Sequence, residues 1–229
     1  MYKKLIVSIV LAFCLILTAC GNSQTSTETQ GSEPAETAPV ESVIPEAPPA
    51  DEALTTIDGS TITLRDDGTG EDRNDSDMKK TVALTNREIG YVVEQGPFTI
   101  TVNSVQVADI VANSDEYASF LGMETGSSAA LFAVDVTVEN TSGDTMYIYP
   151  DQSTIVTNTK EQVTADFFVS DSVGGAFMGN VVKSGQIFFL CKNTIAADLN
   201  QVVWHIDSPH DSNLDHIGEE IVMTFNFVK

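Results

Sequence analysis

Phe132-Ala133-Val134-Asp135-Val136-Thr137-Val138-Glu139-Asn140-Thr141 is the stretch on which the fold of this chain turns. Phe132, Val134, Val136 and Val138 fall on one side of an extended backbone, and Asp135, Thr137 and Glu139 on the other. A period of two marks a strand with one buried face, because successive side chains point to opposite sides of the pleat. The polar cluster Asn140-Thr141-Ser142-Gly143-Asp144 then predicts a turn, which opens into a second strand at Met146-Tyr147-Ile148-Tyr149.

The same pattern extends in both directions. Phe98, Ile100 and Val102 alternate with Thr99, Thr101 and Asn103; the phase slips at Ser104, as a bulge requires, and Val105 and Val107 resume it. Ser153 to Thr157 and Val163 to Val169 read as a strand pair joined through Asn158-Thr159-Lys160-Glu161. Lys183-Ser184-Gly185-Gln186 predicts a turn before Ile187 to Cys191. Val202 to Ile206 follows, with Trp204 in phase with its apolar neighbours, and Ile221, Met223, Phe225 and Phe227 alternate near the end. The one helical candidate is Asp115 to Leu121. Strands at this spacing predict an all-β sandwich or barrel over residues 88–229, long enough to bury an independent core.

These residues also carry a resemblance. Ile89-Gly90 with Val92-Val93, followed by Phe98 to Val105, resembles the opening of immunoglobulin-like domains found in exported lipoproteins of Gram-positive bacteria. Phe132 to Thr141 is similar to that family's most recognisable strand and its Asn-containing turn. Lys183-Ser184-Gly185 before Ile187-Phe188-Phe189 resembles its late Gly-turn and aromatic strand. The sandwich of the mycobacterial immunoprotective secreted antigen is a related fold. The resemblance covers residues 88–228 and implies an immunoglobulin-like β-sandwich, with no reaction attached. The chain departs from it between Thr157 and Thr164, where no glycine marks the hairpin turn.

Ahead of this domain the composition changes twice. Lys3-Lys4, an apolar run from Leu5 to Leu17, and Leu17-Thr18-Ala19-Cys20 resemble a bacterial lipoprotein signal over residues 1–19. The apolar run is too short for a transmembrane helix, which needs about 20 residues. The resemblance implies a diacylglycerol thioether on Cys20, whose two acyl chains hold a bilayer where one lets go. Residues 20–87 then read as an acidic, Pro/Ser/Thr-rich disordered linker, with a short strand conceivable at Ser60-Thr61-Ile62-Thr63-Leu64. The acidic run Asp66 to Asp77 invites a calcium reading but lacks the glycine and terminal glutamate of an EF-hand loop in register.

The net charge of −22 argues against nucleic acid as a partner, since phosphates are bound by Lys and Arg. Removal of Lys3 and Lys4 with the leader makes the balance more negative still. With Cys20 lipidated, Cys191 has no disulfide partner and reads as a small buried hydrophobe within a strand. No Gly-x-Ser-x-Gly element occurs, and no cofactor motif. Two weak sets of site candidates remain. His205, His210 and His216 with Asp207 fall close together in sequence and could hold a divalent ion, although their spacing fits no established ligand pattern. Phe177 and Met178, in Gly174-Gly175-Ala176-Phe177-Met178-Gly179, could form a contact tip, and Tyr147 and Tyr149 an aromatic binding face.

The expectation is therefore a lipid-anchored protein on the extracellular face of a cell membrane. Its non-catalytic domain would bind a protein or cell-wall partner. The alternatives are an accessory subunit of a membrane-associated complex and, from another class, a metal-dependent hydrolase built on the histidine region.

Overall fold

The structure, a computed structural model, describes residues 54–228. Fourteen strands, one α-helix and a short 3-10 turn at Pro150–Gln152 occur among them. They are β1 (Thr55–Asp58), β2 (Thr61–Arg65), β3 (Arg73–Asn74), β4 (Met78–Asn86), β5 (Tyr91–Gln95), β6 (Phe98–Ala112), α1 (Asp115–Leu121) and β7 (Ser128–Asn140). Then come β8 (Thr145–Ile148), β9 (Thr154–Thr157), β10 (Gln162–Thr164), β11 (Gly175–Met178), β12 (Val182–Cys191), β13 (Gln201–Ile206) and β14 (Ile221–Val228). One six-stranded sheet runs β1-β2-β14-β13-β9-β10. The other runs β12-β7-β6-β4-β3, with β5 paired to the free stretch of β6, and β8 with β11 forms a separate ribbon. The fold is all-β and sandwich-like, as the alternation predicts.

The inward residues of both sheets make one core. Phe132 on β7 lies 5.5 Å from Phe225 and 6.0 Å from Phe227 on β14, and 5.9 Å from Phe189 on β12. Trp204 is fully buried, as expected from its phase, and its indole N–H donates to the Ser153 hydroxyl. A buried indole needs such a partner to offset desolvation. Each large aromatic or aliphatic side chain removed from water here contributes about 1.5–3 kcal/mol. The bulge falls where the phase slips: pairing of β6 with β7 shifts register between Val102 and Ser104. Helix α1 has the expected bounds; Ser114 accepts from the Tyr117 amide at its start, and Gly122 ends it with φ 62°.

Several expectations are corrected. Signal residues 1–19, Cys20 and the linker up to residue 53 lie outside the described residues. Residues 55–86, however, are not linker: they supply β1 to β4. Ile62 and Leu64 are fully buried, because β2 pairs in parallel with β14, setting Ile62 beside Phe225 and Leu64 beside Phe227. Buried Asn86 ties this segment to the second sheet, its amide donating to Leu54 O at 2.8 Å and Arg65 O at 3.2 Å.

The acidic run serves the same purpose. Asp66 accepts from the Thr85 amide at 2.8 Å, Asp67 from the Arg87 amide at 2.9 Å, and Asp72 from the Val82 amide at 2.7 Å. Asp75 accepts from the amides of Met78 and Asp77, both at 2.9 Å. Those two backbone bonds, with help from Arg73, hold the Asp75 carboxyl below its ordinary range. Carboxylates engaged with backbone amides replace the calcium reading of this run.

Lys183-Ser184-Gly185-Gln186 is not a turn but the first half of β12, with Gly185 opposite Val136. The glycine answers to packing: a Cβ there would sit 2.5 Å from the Asp171 Cβ. The stretch expected as a strand to Val169 stops at Thr164, and residues 166–170 form a tight turn fastened to β12. Without a glycine in the β9–β10 hairpin, Lys160 itself adopts φ 67°.

Candidate binding cleft

Three of the four binding candidates, together with one histidine, meet at the outer face of the β8–β11 ribbon. The ribbon sets Phe177 opposite Met146 and Met178 opposite Thr145. Period two therefore sends Met146 and Phe177 inward, and Thr145, Tyr147 and Met178 outward. Phe177 is 0% exposed, edge-on to Phe98 at 5.1 Å with the Lys183 ammonium 4.2 Å from its ring centre. It is a core residue, so its place in a contact tip is corrected. Met178 is 75% exposed. Residues 174–179 are not a loop tip, since most of them belong to β11.

The segment joining β13 to β14 folds back over this ribbon. Its His210 pairs with Tyr147 as a single-residue strand: each amide donates to the other's carbonyl, at 2.9 and 3.0 Å. That pairing lays the imidazole parallel to the Tyr147 ring, 5.0 Å between centres and 8° between planes, with Tyr149 a further neighbour at 5.9 Å. His210 Nδ1 lies 2.9 Å from the Asp211 carbonyl oxygen. A carbonyl can only accept, so Nδ1 carries the proton. Asp211 then closes a turn. Its carboxylate accepts from the amides of Asn213 at 2.7 Å and Asp215 at 3.0 Å, while Leu214 takes φ 67°. Those backbone bonds, Asp215 first, keep the Asp211 carboxyl below its usual range.

Between the ribbon and this turn lies an open cleft of ≈ 560 Å³. Asp144, Thr145, Met146 and Tyr147 line it on one side and Met178 at the end of β11. Asp211 and Ser212 face them from the turn. The frame is held from behind by Asn140, which is fully buried. Its amide donates to the carbonyls of Asp144 (2.9 Å), Phe177 (3.3 Å) and Gly179 (2.9 Å), and its oxygen accepts from the Ser142 amide (3.0 Å). One side chain thus ties the ends of both ribbon strands together. Sequence reasoning had Asn140 and Asp144 as turn residues only; a signal for the Asp211 turn was available in Asp211-Ser212-Asn213, a typical Asx-turn opening.

The metal candidates do not converge. His205 Nδ1 pairs with Glu220 at 2.9 Å, His216 bonds the Ser208 hydroxyl, His210 is engaged as described, and Asp207 is exposed between them. Among the described residues no group of three or more His, Cys, Asp or Glu side chains is placed to hold a metal ion. His210 and His216 sit opposite each other across a single-residue antiparallel bridge, but the His216 ring bonds Ser208, the His210 ring stacks on Tyr147, and His205 on β13 pairs with Glu220. Cys191 is buried, and burial, with Glu161 adding to it, pushes its thiol up to about 12, which makes it a poor nucleophile. No helix among the described residues is long and apolar enough to cross a membrane.

No family model matches the chain, and no curated protein matches it in sequence. Among solved structures, it is similar to a protein of unknown function from Listeria monocytogenes EGD-e. The TM-score is 0.50 at 16% identity, over 65% of this chain and 88% of that one. Two Bacillus subtilis proteins are more distant. The candidate lipoprotein ycdA is 14% identical with a TM-score of 0.41, over 61% of this chain and 39% of its own. For yjhA the values are 13% and 0.40, over 62% and 100%. At such identity the likeness to the Listeria protein concerns the fold alone.

Proposed function

We propose that this protein is a lipid-anchored recognition protein of the cell surface, held on the extracellular face of a membrane by a diacylglycerol on Cys20. Its immunoglobulin-like sandwich would bind a partner at the β8–β11 cleft without catalysis. The observation that carries this reading is the rigid Tyr147–His210–Tyr149 stack beside an open cleft with Met178 exposed. Aromatic side chains give contact area at small entropic cost, and an exposed methionine adapts its flexible thioether to the shape of the partner. Leu17-Thr18-Ala19-Cys20 supports the anchor.

A photo-crosslinking residue at Met178 in the membrane-associated protein should capture a discrete adduct that Tyr147→Ala abolishes. Labelling at Met178 no greater than at exposed Lys160 would count against the site. Cys20→Ala should release the protein from the membrane fraction; a variant that stays there would remove the anchor.

The accessory-subunit reading rests on a different feature. Phe167 and Phe168 are 63% and 87% exposed at the tip of the 166–170 turn. The turn is fastened to both backbone groups of Phe188: the Asp166 amide donates to its carbonyl at 2.8 Å, and its amide donates to the Ser170 hydroxyl at 3.0 Å. Phe168→Asp should detach the protein from a stable complex if this is its contact, and leave it unchanged otherwise.

A further inference from the structure

We infer that the β8–β11 cleft takes a cationic side chain, a lysine ammonium or arginine guanidinium presented by a partner polypeptide. This rests on the recognition reading and adds the chemistry of the ligand. The side chains lining the cleft carry no N–H donor. Asp144 and Asp211 offer carboxylates, Thr145, Ser212 and Tyr147 hydroxyls, and Met178 a thioether, while Met146 turns its side chain to the core. An anion would meet two carboxylates with nothing to pair it. Among the described residues the ion pairs are Arg73–Asp75 and His205–Glu220, so neither cleft carboxylate has a cation of its own.

The two acids differ in a way that suits such a ligand. Asp211 is fixed by its turn, one oxygen accepting two amides and the other bonded at 3.1 Å by the Asn213 side chain. The same backbone bonds hold its carboxyl below the usual range. Asp144 has its backbone pinned by Asn140 and Gly179, while its carboxylate has no partner among the described residues. One carboxylate is a preset field and the other a free acceptor. Between them, the exposed Met178 side chain gives an apolar surface for a methylene stem, while the Tyr147 ring is stacked on His210 and offers its hydroxyl. A hard divalent ion would need several converging oxygen ligands and would gain nothing from thioethers, whereas a cation on an apolar stem uses every group present.

The test uses the full-length protein in detergent, labelled with ¹³C at its methionine methyl groups. Titration with the peptide acetyl-Gly-Arg-Gly-amide should shift the Met178 resonance saturably and leave those of Met78, Met123 and Met223 in place. The citrulline peptide, equal in shape and uncharged, should not move it. Asp144→Asn should weaken the arginine response about three- to fivefold. Equal response to citrulline, parallel shifts at all five methionines that follow Cys20, or no shift at Met178 would each overturn the inference. If the Met178 crosslink persists in any of those cases, the cleft recognises something other than a cation and the recognition reading stands. If the crosslink is lost as well, both fall.

Discussion

Two regions of this molecule are rich in aspartate, and they do opposite things with it. In residues 66–77, Asp66, Asp67, Asp72 and Asp75 each accept backbone amides and so fasten the β2–β4 connection to the sheets. At the β8–β11 cleft Asp211 shapes a turn in the same manner, but Asp144 faces open space with its carboxylate free. The density of acids is far higher in the first region, yet the second is the better candidate for binding. What separates a site from a scaffold is the number of carboxylate oxygens left unengaged, not the number of carboxylates.

The sharpest way to break that contrast is to treat residues 55–86 as dispensable. Leu64→Ala removes a fully buried side chain beside Phe227 and should cost about 2–5 kcal/mol by denaturant unfolding. A silent substitution would return the segment to linker status. Next come the polar ties. Asp66→Ala leaves the amide of buried Thr85 without its acceptor, and Asn140→Ala removes the buried amide that three carbonyls behind the cleft share, the Asp144 carbonyl keeping the Gly179 amide. Each should cost about 1–3 kcal/mol, whereas Asp144→Asn should stay within about 0.5 kcal/mol of the parent. Equal losses at Asp66 and Asp144 would erase the distinction between engaged and free acids.

Acid titration gives a smaller effect with a definite sign. Asp75 and Asp211 have folded carboxyls below their ordinary range, so each stabilises the fold above that range and loses its contribution as pH falls through it. The melting temperature of Asp75→Asn/Asp211→Asn should therefore be lower than the parent's at neutral pH, with the gap closing below about pH 4. A gap that persists in acid would mean that packing, and not charge, holds these turns. Smallest of all is the response of Cys191. With its thiol pushed up to about 12 inside the core, peptide-resolved alkylation at pH 8 should find it unmodified until the protein is unfolded.

Much of the sandwich was legible because each long strand repeats its pattern enough times to declare a phase. Ile100 to Val107, Phe132 to Val138 and Ile221 to Phe227 alternate without outside help, and even the bulge at Ser104 shows as a slipped beat. β2 answers to the strand conceivable at Ser60 to Leu64, whereas β1, β3 and β4 were hidden by the polar acidic run around them, whose carboxylates bond to amides that only the folded chain brings near. Gly185 looked like a turn because glycine has two uses, and the close approach of Asp171 that explains it lies far off in sequence.

The cleft was half legible. Tyr147, Tyr149, Met178 and His210 were all candidates, but under separate chemistries, because nothing local says that the residues before β14 fold back onto β8. Phe177 and Met178 are neighbours with opposite fates, and only the facing strand decides which of them points inward.

The parallel seam between β2 and β14 has a temporal consequence. A chain that appears N-terminus first offers Ile62 and Leu64 long before Phe225 and Phe227 exist to cover them. The hairpin of β1 and β2 can form early, but its greasy side must wait for nearly the whole polypeptide. Closure is therefore a late, long-range event, and chains cut short before residue 221 should remain unassembled prey for proteases.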